Sequence, residues 1–389
     1  MATTAETLPL SAVREESAAI PWFIWASLVA VTSAIIGGHW DISWHRSIGR
    51  DDFWTPAHIA IYLCGVIAGL SSAYLILATT LNRSQYPREA TVRIWGFRGP
   101  LGAFLTAWGG VAMLTSAPFD DWWHNAYGLD VKILSPPHVL LIAGILAIQV
   151  GALLLILGYR NRAAGARRRL YDWLFLYTGG MIVLLMSVLV LEFTSRVLAH
   201  SGLFYRTVAL AFPAILMAVA TASGQRWAVT FVTGVYTVFM LGFVWILPLF
   251  PAEPKLGPVY NPVTHFVPPQ FPLLLLVPAL AIDLLRGSLE RQSAGLQALV
   301  YGTTFLGLFL AAQWPFADFL MSPWARNWFF AADQFDYLTS PNSRLARGLF
   351  YQETPSSIWW RNLGLALVFS ILMSRVGIAW GRWMARMQR

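Results

Sequence analysis

The chain has 389 residues, 57% hydrophobic and 12% charged, a balance that a water-soluble domain cannot hide and a bilayer satisfies. Its net charge of +8 invites a nucleic-acid reading, but the arginines gather in short segments between apolar runs, which excludes nucleic acid as partner and points to membrane orientation. The single cysteine, Cys64, excludes an intramolecular disulfide framework or a Cys-rich metal site and reads as packing.

The predicted class is an all-α integral membrane protein of about ten transmembrane helices in contact with the lipid bilayer. Residues 1–20 form a polar cytoplasmic tail, in which Glu6, Glu15 and Glu16 argue against a cleavable signal peptide. Apolar runs at 22–38, 57–80, 99–117 and 137–158 make residues 21–170 a four-helix module with short connections. Residues 171–314 add runs at 173–191, 205–223, 227–250, 270–285 and 297–314, and the prolines of loop 250–271 fit an ordered cap better than a helix. Segment 315–360 interleaves Trp324, Trp328, Phe329, Phe330, Phe335 and Tyr337 with charges, as suits an aromatic-rich outer stretch at the interface or against another subunit. Residues 361–389 hold the last helix, 362–380, and a basic tail.

Arg83, Arg88, Arg93 and Arg98 follow the second run, Arg160, Arg162, Arg167, Arg168 and Arg169 the fourth, and Arg382, Arg386 and Arg389 end the chain. The positive-inside rule then puts both termini and the even-numbered loops in the cytoplasm, with the protein multi-pass in the inner (cytoplasmic) membrane.

One internal repeat carries the chemistry. Segment 41–58 (DISWHRSIGRDDFWTPAH) is echoed by segment 120–138 (DDWWHNAYGLDVKILSPPH), and each joins an outgoing run to a returning one, so the copies are parallel. In the first, Asp41 and His45 are four residues apart, on one face of a helix extended by a turn. His58 follows Thr55-Pro56, an N-cap and first-turn pair that places it at the start of the second helix. In the second, Asp120, His124 and His138 repeat the frame behind Ser135-Pro136. An Asp with two imidazoles is a ligand set for copper, iron or zinc, and the favoured metal residues are these six, both sites lying near the outer face.

Two other readings stand beside metal binding. The six side chains can form local hydrogen bonds, or His58 and His138 can hold haem as in an electron-transfer subunit, which leaves the paired aspartates unexplained. His39, Asp121 and Glu192 are candidate supporting residues around the ligands. Glu192, in an apolar stretch, has Arg196 one helical turn away as a partner for an ion pair. Asp51, Asp52 and Asp130 read as solvated loop charges, as do His200 and His265 in outer loops.

The order and spacing Asp41-x3-His45-x12-His58, then Asp120, His124 and His138, resembles the C subunit of the copper membrane monooxygenases, the particulate methane and ammonia monooxygenase family, over residues 20–160. In that family the first frame is Asp-His-His and the second Asn-His-His, so Asp120 departs from the pattern. The resemblance implies copper at Asp41, His45 and His58, O2 activation, hydroxylation of a small apolar substrate, and further membrane or copper-binding subunits as partners. The rival in a different class is a non-catalytic protein that binds, senses or delivers metal at the membrane.

Overall fold

The computed structural model describes residues 20–83, 86–128, 135–255, 263–332 and 356–387. The N-terminal tail with its three glutamates, and Asp130, Phe335, Tyr337 and Arg389, lie outside the described residues.

The described chain is almost wholly helical. Its helices are α1 Trp22–Ser47, α2 Pro56–Thr80, α3 Leu101–Tyr127, α4 Pro136–Arg160, α5 Gly165–Leu189, α6 Gly202–Ala211, α7 Pro213–Ser223, α8 Ala228–Ile246, α9 Leu276–Leu289, α10 Ala294–Leu320 and α11 Ser356–Arg386. α6 and α7 meet at Pro213 and together make one membrane-length span. Nine spans among the described residues are long and apolar enough to cross a membrane, one fewer than expected.

The run at 270–285 accounts for the difference. α9 has 14 residues, about 21 Å at 1.5 Å per residue against a hydrocarbon core of about 30 Å. Pro268, Pro269 and Pro272 cannot supply helical N–H donors, so the approach to α9 stays extended. Its freed donors are met by buried side chains: Leu273 N–H donates to the Tyr236 hydroxyl (3.0 Å) and Leu274 N–H to Gln313 Oε1 (2.9 Å). Non-helical backbone at this depth, beside the middle of α8 and the last third of α10, is tolerated because protein rather than lipid surrounds it.

A second departure from an all-α chain is a small hairpin between α2 and α3. β1 Val92–Ile94 pairs antiparallel with β2 Phe97–Gly99. Trp95 and Gly96 between them both adopt positive φ (49° and 85°), the backbone of a tight two-residue hairpin turn.

α1 with α2 and α3 with α4 form two hairpins, each carrying one copy of the motif. The second packs backbone to backbone: a Cβ on Gly109 would stand 2.6 Å from the Gly144 carbonyl oxygen, so this crossing admits only glycine. At the motif end the described parts of the proline-rich loop, residues 250–255 and 263–271, lie against the end of α1. Pro251 bridges His265, Lys255 N–H donates to the Ile48 carbonyl (2.9 Å), and Val267 N–H donates to the Ser47 hydroxyl (2.7 Å).

The opposite end is closed by buried charge. Arg160, 2% exposed, donates to Asp172, to Asn161 Oδ1 (3.0 Å) and to the Ala222 (2.9 Å) and Ser223 carbonyls at the end of α7. Gln225 satisfies the second Asp172 oxygen at 2.8 Å. Asp283 on α9 accepts from the Val229 and Thr230 N–H groups at the start of α8, and Arg286 donates to the Ala220 and Gln225 carbonyls. Helix ends that would otherwise expose unpaired backbone groups are thereby tied together.

Candidate metal centre

α1 ends one residue after Arg46, and the way it ends builds the site. Gly49, at φ 84°, donates its N–H back to the Trp44 carbonyl (3.2 Å), a left-handed helix stop that turns the chain around. The Trp44 indole N–H then donates to the Arg50 carbonyl (3.0 Å) and holds the returning loop against α1. On the other side of the loop Asp52 makes a turn: its Oδ1 accepts from Trp54 N–H (2.8 Å), and its N–H donates to the Thr55 hydroxyl (2.9 Å). Thr55 therefore sits at the N-cap of α2, as the Thr-Pro pair predicts, but spends its hydroxyl on the loop rather than on the helix.

Between these two anchors lies Asp51. Its side chain is 4% exposed and faces both imidazoles, at 3.4 Å from His45 Nε2 and 3.2 Å from His58 Nε2. The expectation of a solvated charge is not met, because the Trp44 and Asp52 bonds fold the loop inward. Asp41 stands 3.7 Å from His45 Nε2 and 3.1 Å from His58 Nε2. Asp41, His45, Asp51 and His58 each offer one donor atom, all within 4.8 Å of one another.

The site fits a cation on three counts. Bonds of about 2.0–2.1 Å to a tetrahedral ion put neighbouring donors about 3.4 Å apart, and the four imidazole–carboxylate separations bracket that value. Asp41 Oδ1 and Asp51 Oδ1 are buried and accept no hydrogen bond, a cost that positive charge in their midst removes. His58 places its Nδ1 2.9 Å from the Asp52 carbonyl, which only accepts; Nδ1 therefore keeps its proton, and Nε2, which faces the carboxylates, is the nitrogen that would give up its proton to bind a cation.

Burial of Asp51 pushes its carboxyl up, but the hydrogen bond from His58 and the charges of His45 and His58 outweigh this and hold it below the ordinary carboxylate range. It is an anion ready to bind.

The second copy has the same start. α3 stops at Gly128 (φ 88°), whose N–H donates to the His124 carbonyl, and Ser135 caps α4 by accepting from His138 N–H. Asp120 Oδ1 lies 3.7 Å from His124 Nε2 and 3.4 Å from His138 Nε2. Asp120 Oδ1 and His124 Nε2 are buried without a hydrogen bond. Among the described residues, however, only the first copy gathers three or more such donors within 4.8 Å. The two are neighbours: the charges of His58 and Asp51 act on Asp120.

A cavity of about 530 Å³ opens beside both copies, with Asp41 and His45 of the first and His138 of the second in its wall. His39 lines it too, but stands apart from the ligand cluster: it is buried, stacks on Phe243 at 4.5 Å and directs Nδ1 to the Ile35 carbonyl. Asp121 is exposed and engages Asn125 rather than the imidazoles. Glu192 and Arg196 line the mouth of the cavity from separate single turns, Leu191–Phe193 and Arg196–Leu198; the break at Thr194 replaces the expected helical spacing, and no ion pair joins them among the described residues.

His200 differs from expectation. It is fully buried, 3.5 Å from Asp318 and edge-on to Trp314, and burial lowers its imidazole below the ordinary value while Asp318 pulls it part of the way back. His265 is exposed as expected and contacts the Thr264 hydroxyl at 2.8 Å.

Comparison with protein-family models, with curated proteins and with solved structures finds no match to this chain.

Proposed function

We propose that the chain is a multi-pass membrane metalloenzyme that binds copper at Asp41, His45, Asp51 and His58 and oxygenates an apolar substrate drawn from the bilayer. The observation that carries this reading is the gathering of four N and O donor atoms within 4.8 Å of one another, with a buried oxygen on Asp41 and on Asp51 that accepts no hydrogen bond, beside a large cavity walled in part by Asp41 and His45. Two imidazoles and two carboxylates, with no thiolate or thioether among them, suit a divalent ion; iron and zinc are the alternatives. The resemblance of the Asp-x3-His-x12-His frame to the copper membrane monooxygenases adds copper and oxygen chemistry to that choice.

Within this reading a metal held by Asp41, His45, Asp51 and His58 would supply O2 activation for the overall change R–H + O2 + 2e⁻ + 2H⁺ → R–OH + H2O, the electrons coming from an external donor. The chain's residues have simpler tasks. Asp41 and Asp51 would neutralise the ion, and His58 is held by the Asp52 carbonyl with Nε2 turned to that ion. Asp120, His124 and His138 form a second, weaker centre. The positive-inside pattern supports a location at the outer face of the inner membrane, where copper-binding or other membrane subunits can deliver metal and electrons.

One observation favours a second reading. Four protein donors fill a tetrahedron, as in metal sites that bind without catalysis, and this suits a metal-sensing or delivery protein. Haem is disfavoured, since His58 and His138 both direct Nε2 at carboxylates 3.1–3.4 Å away. The test is oxygen uptake by copper-loaded protein on adding a reductant and an alkane, with the alcohol identified. Uptake that rises with substrate and disappears in His58→Ala supports the enzyme; a bound but redox-silent ion leaves the binding protein.

A further inference from the structure

The cavity is far larger than a one-carbon or diatomic guest requires, since about 150 Å³ of apolar space already holds a benzene-sized molecule. Its lining also has a direction. At one end are Asp41, His45, His138 and Glu192; at the other are Ala34 on α1, Ile145 on α4 and Leu185 on α5. From His45 to Ala34 is eleven residues of helix, about 16 Å, close to half of the ~30 Å hydrocarbon core. The lining runs inward from the metal ligands along α1 and, on α4, from His138 to Ile145, an elongated space with room for a flexible chain.

The polarity runs the same way. Arg46 and Arg196 join Glu192 and the metal ligands at the mouth, and beyond Gly38 the wall consists of aliphatic side chains from four helices, α1, α2, α4 and α5. A chain entering tail first leaves no polar group of its own stranded among them, whereas a polar group at the Ile145 end would lack a partner.

We propose that this elongated cavity is a binding site for an unbranched alkyl chain about one membrane leaflet long, seated with its polar end beside Asp41 and His45 and its tail against Ala34, Ile145 and Leu185. The chain belongs either to a free long-chain alcohol or acid or to a phospholipid. Its oxidation rests on the proposed function above; its binding does not, and metal-free protein displays it equally.

The test uses full-length protein in phosphatidylcholine nanodiscs, with and without copper, and n-alkanols from butanol to hexadecanol carrying a diazirine at the tail. After illumination, peptide mass spectrometry locates the label. We expect labelling of the α1, α4 and α5 segments around Ala34, Ile145 and Leu185, growing with chain length to a plateau near dodecanol. Ile145→Trp, which blocks the floor, is expected to weaken dodecanol labelling about tenfold and move the plateau to shorter chains; Leu185→Trp is a second block should the first not fold. Competition by free dodecanol assigns the site to a free chain; a phospholipid that co-purifies at one equivalent, and is lost from the blocked variants, assigns it to a lipid. Label spread evenly over outward-facing residues such as Leu70 and Val238, or a chain-length profile unmoved by either block, overturns the proposal. Copper content measured on the same samples separates this outcome from failure of the metal reading.

Discussion

The two ends of the helix bundle treat buried charge in opposite ways. At one end each nitrogen of Arg160 donates a hydrogen bond and both oxygens of Asp172 accept one, across the ends of α4, α5 and α7. At the other end Asp41, Asp51 and Asp120 each keep a buried oxygen that accepts none. Satisfied charge fastens helices, and unsatisfied charge waits for a cation. Within the second end the comparison repeats on a smaller scale. Among the described residues the first copy draws four donors together, and the second holds a carboxylate between two imidazoles.

The largest effect is expected where charge is fully paired. Arg160→Ala strands Asp172 in the interior and should cost about 3–5 kcal/mol, read as a lower unfolding temperature in detergent with metal content per folded molecule unchanged. Metal loss on this substitution would erase the distinction between the ends.

Next comes His58→Ala. Removing a ligand whose tautomer is fixed should weaken metal binding by more than about 100-fold, beyond the 10–100-fold typical of supporting residues, and should also lower the melting temperature of the metal-free protein, in which His58 is the partner of the Asp41 and Asp51 carboxylates. Asp51→Asn keeps the shape and removes the charge, and a loss of about 10–100-fold in a metal titration is expected, placing it between a ligand and its support. Should Asp51→Asn bind as tightly as wild type, the two copies would be equivalent three-donor sites.

His124→Ala should lower total metal only at high metal concentration, because among the described residues the second copy gathers fewer donors than the first. The smallest effect concerns acid. Asp51 is held below the ordinary carboxylate range, so the stability it contributes to metal-free protein is present above that range and fades as pH falls through its lowered value; Asp51→Asn should flatten this slope in pH-dependent melting curves.

Much of this fold is legible in the sequence, because apolar runs of span length and the Thr-Pro and Ser-Pro helix starts are local signals. The short α9 is not, since its extended approach is stabilised by Tyr236 and Gln313, which lie far away in sequence. The hairpin at 92–99 is signalled by Trp95-Gly96, a turn pair easily passed over between two apolar helices. Asp41, His45 and His58 are readable from spacing, but Asp51 sits in a loop where acidic residues are ordinarily solvated. Only the Trp44–Arg50 bond and the Asp52 turn bring it in. The repeat itself held a hint: an aspartate follows the leading aspartate by ten residues in both copies, Asp51 after Asp41 and Asp130 after Asp120.

The central claim is that the first copy is a metal centre, and the most direct measurement is metal stoichiometry of purified wild type beside His58→Ala after loading at limiting copper. The account predicts one equivalent bound by wild type and almost none by His58→Ala, with both proteins equally folded. Equal copper in the two would contradict it.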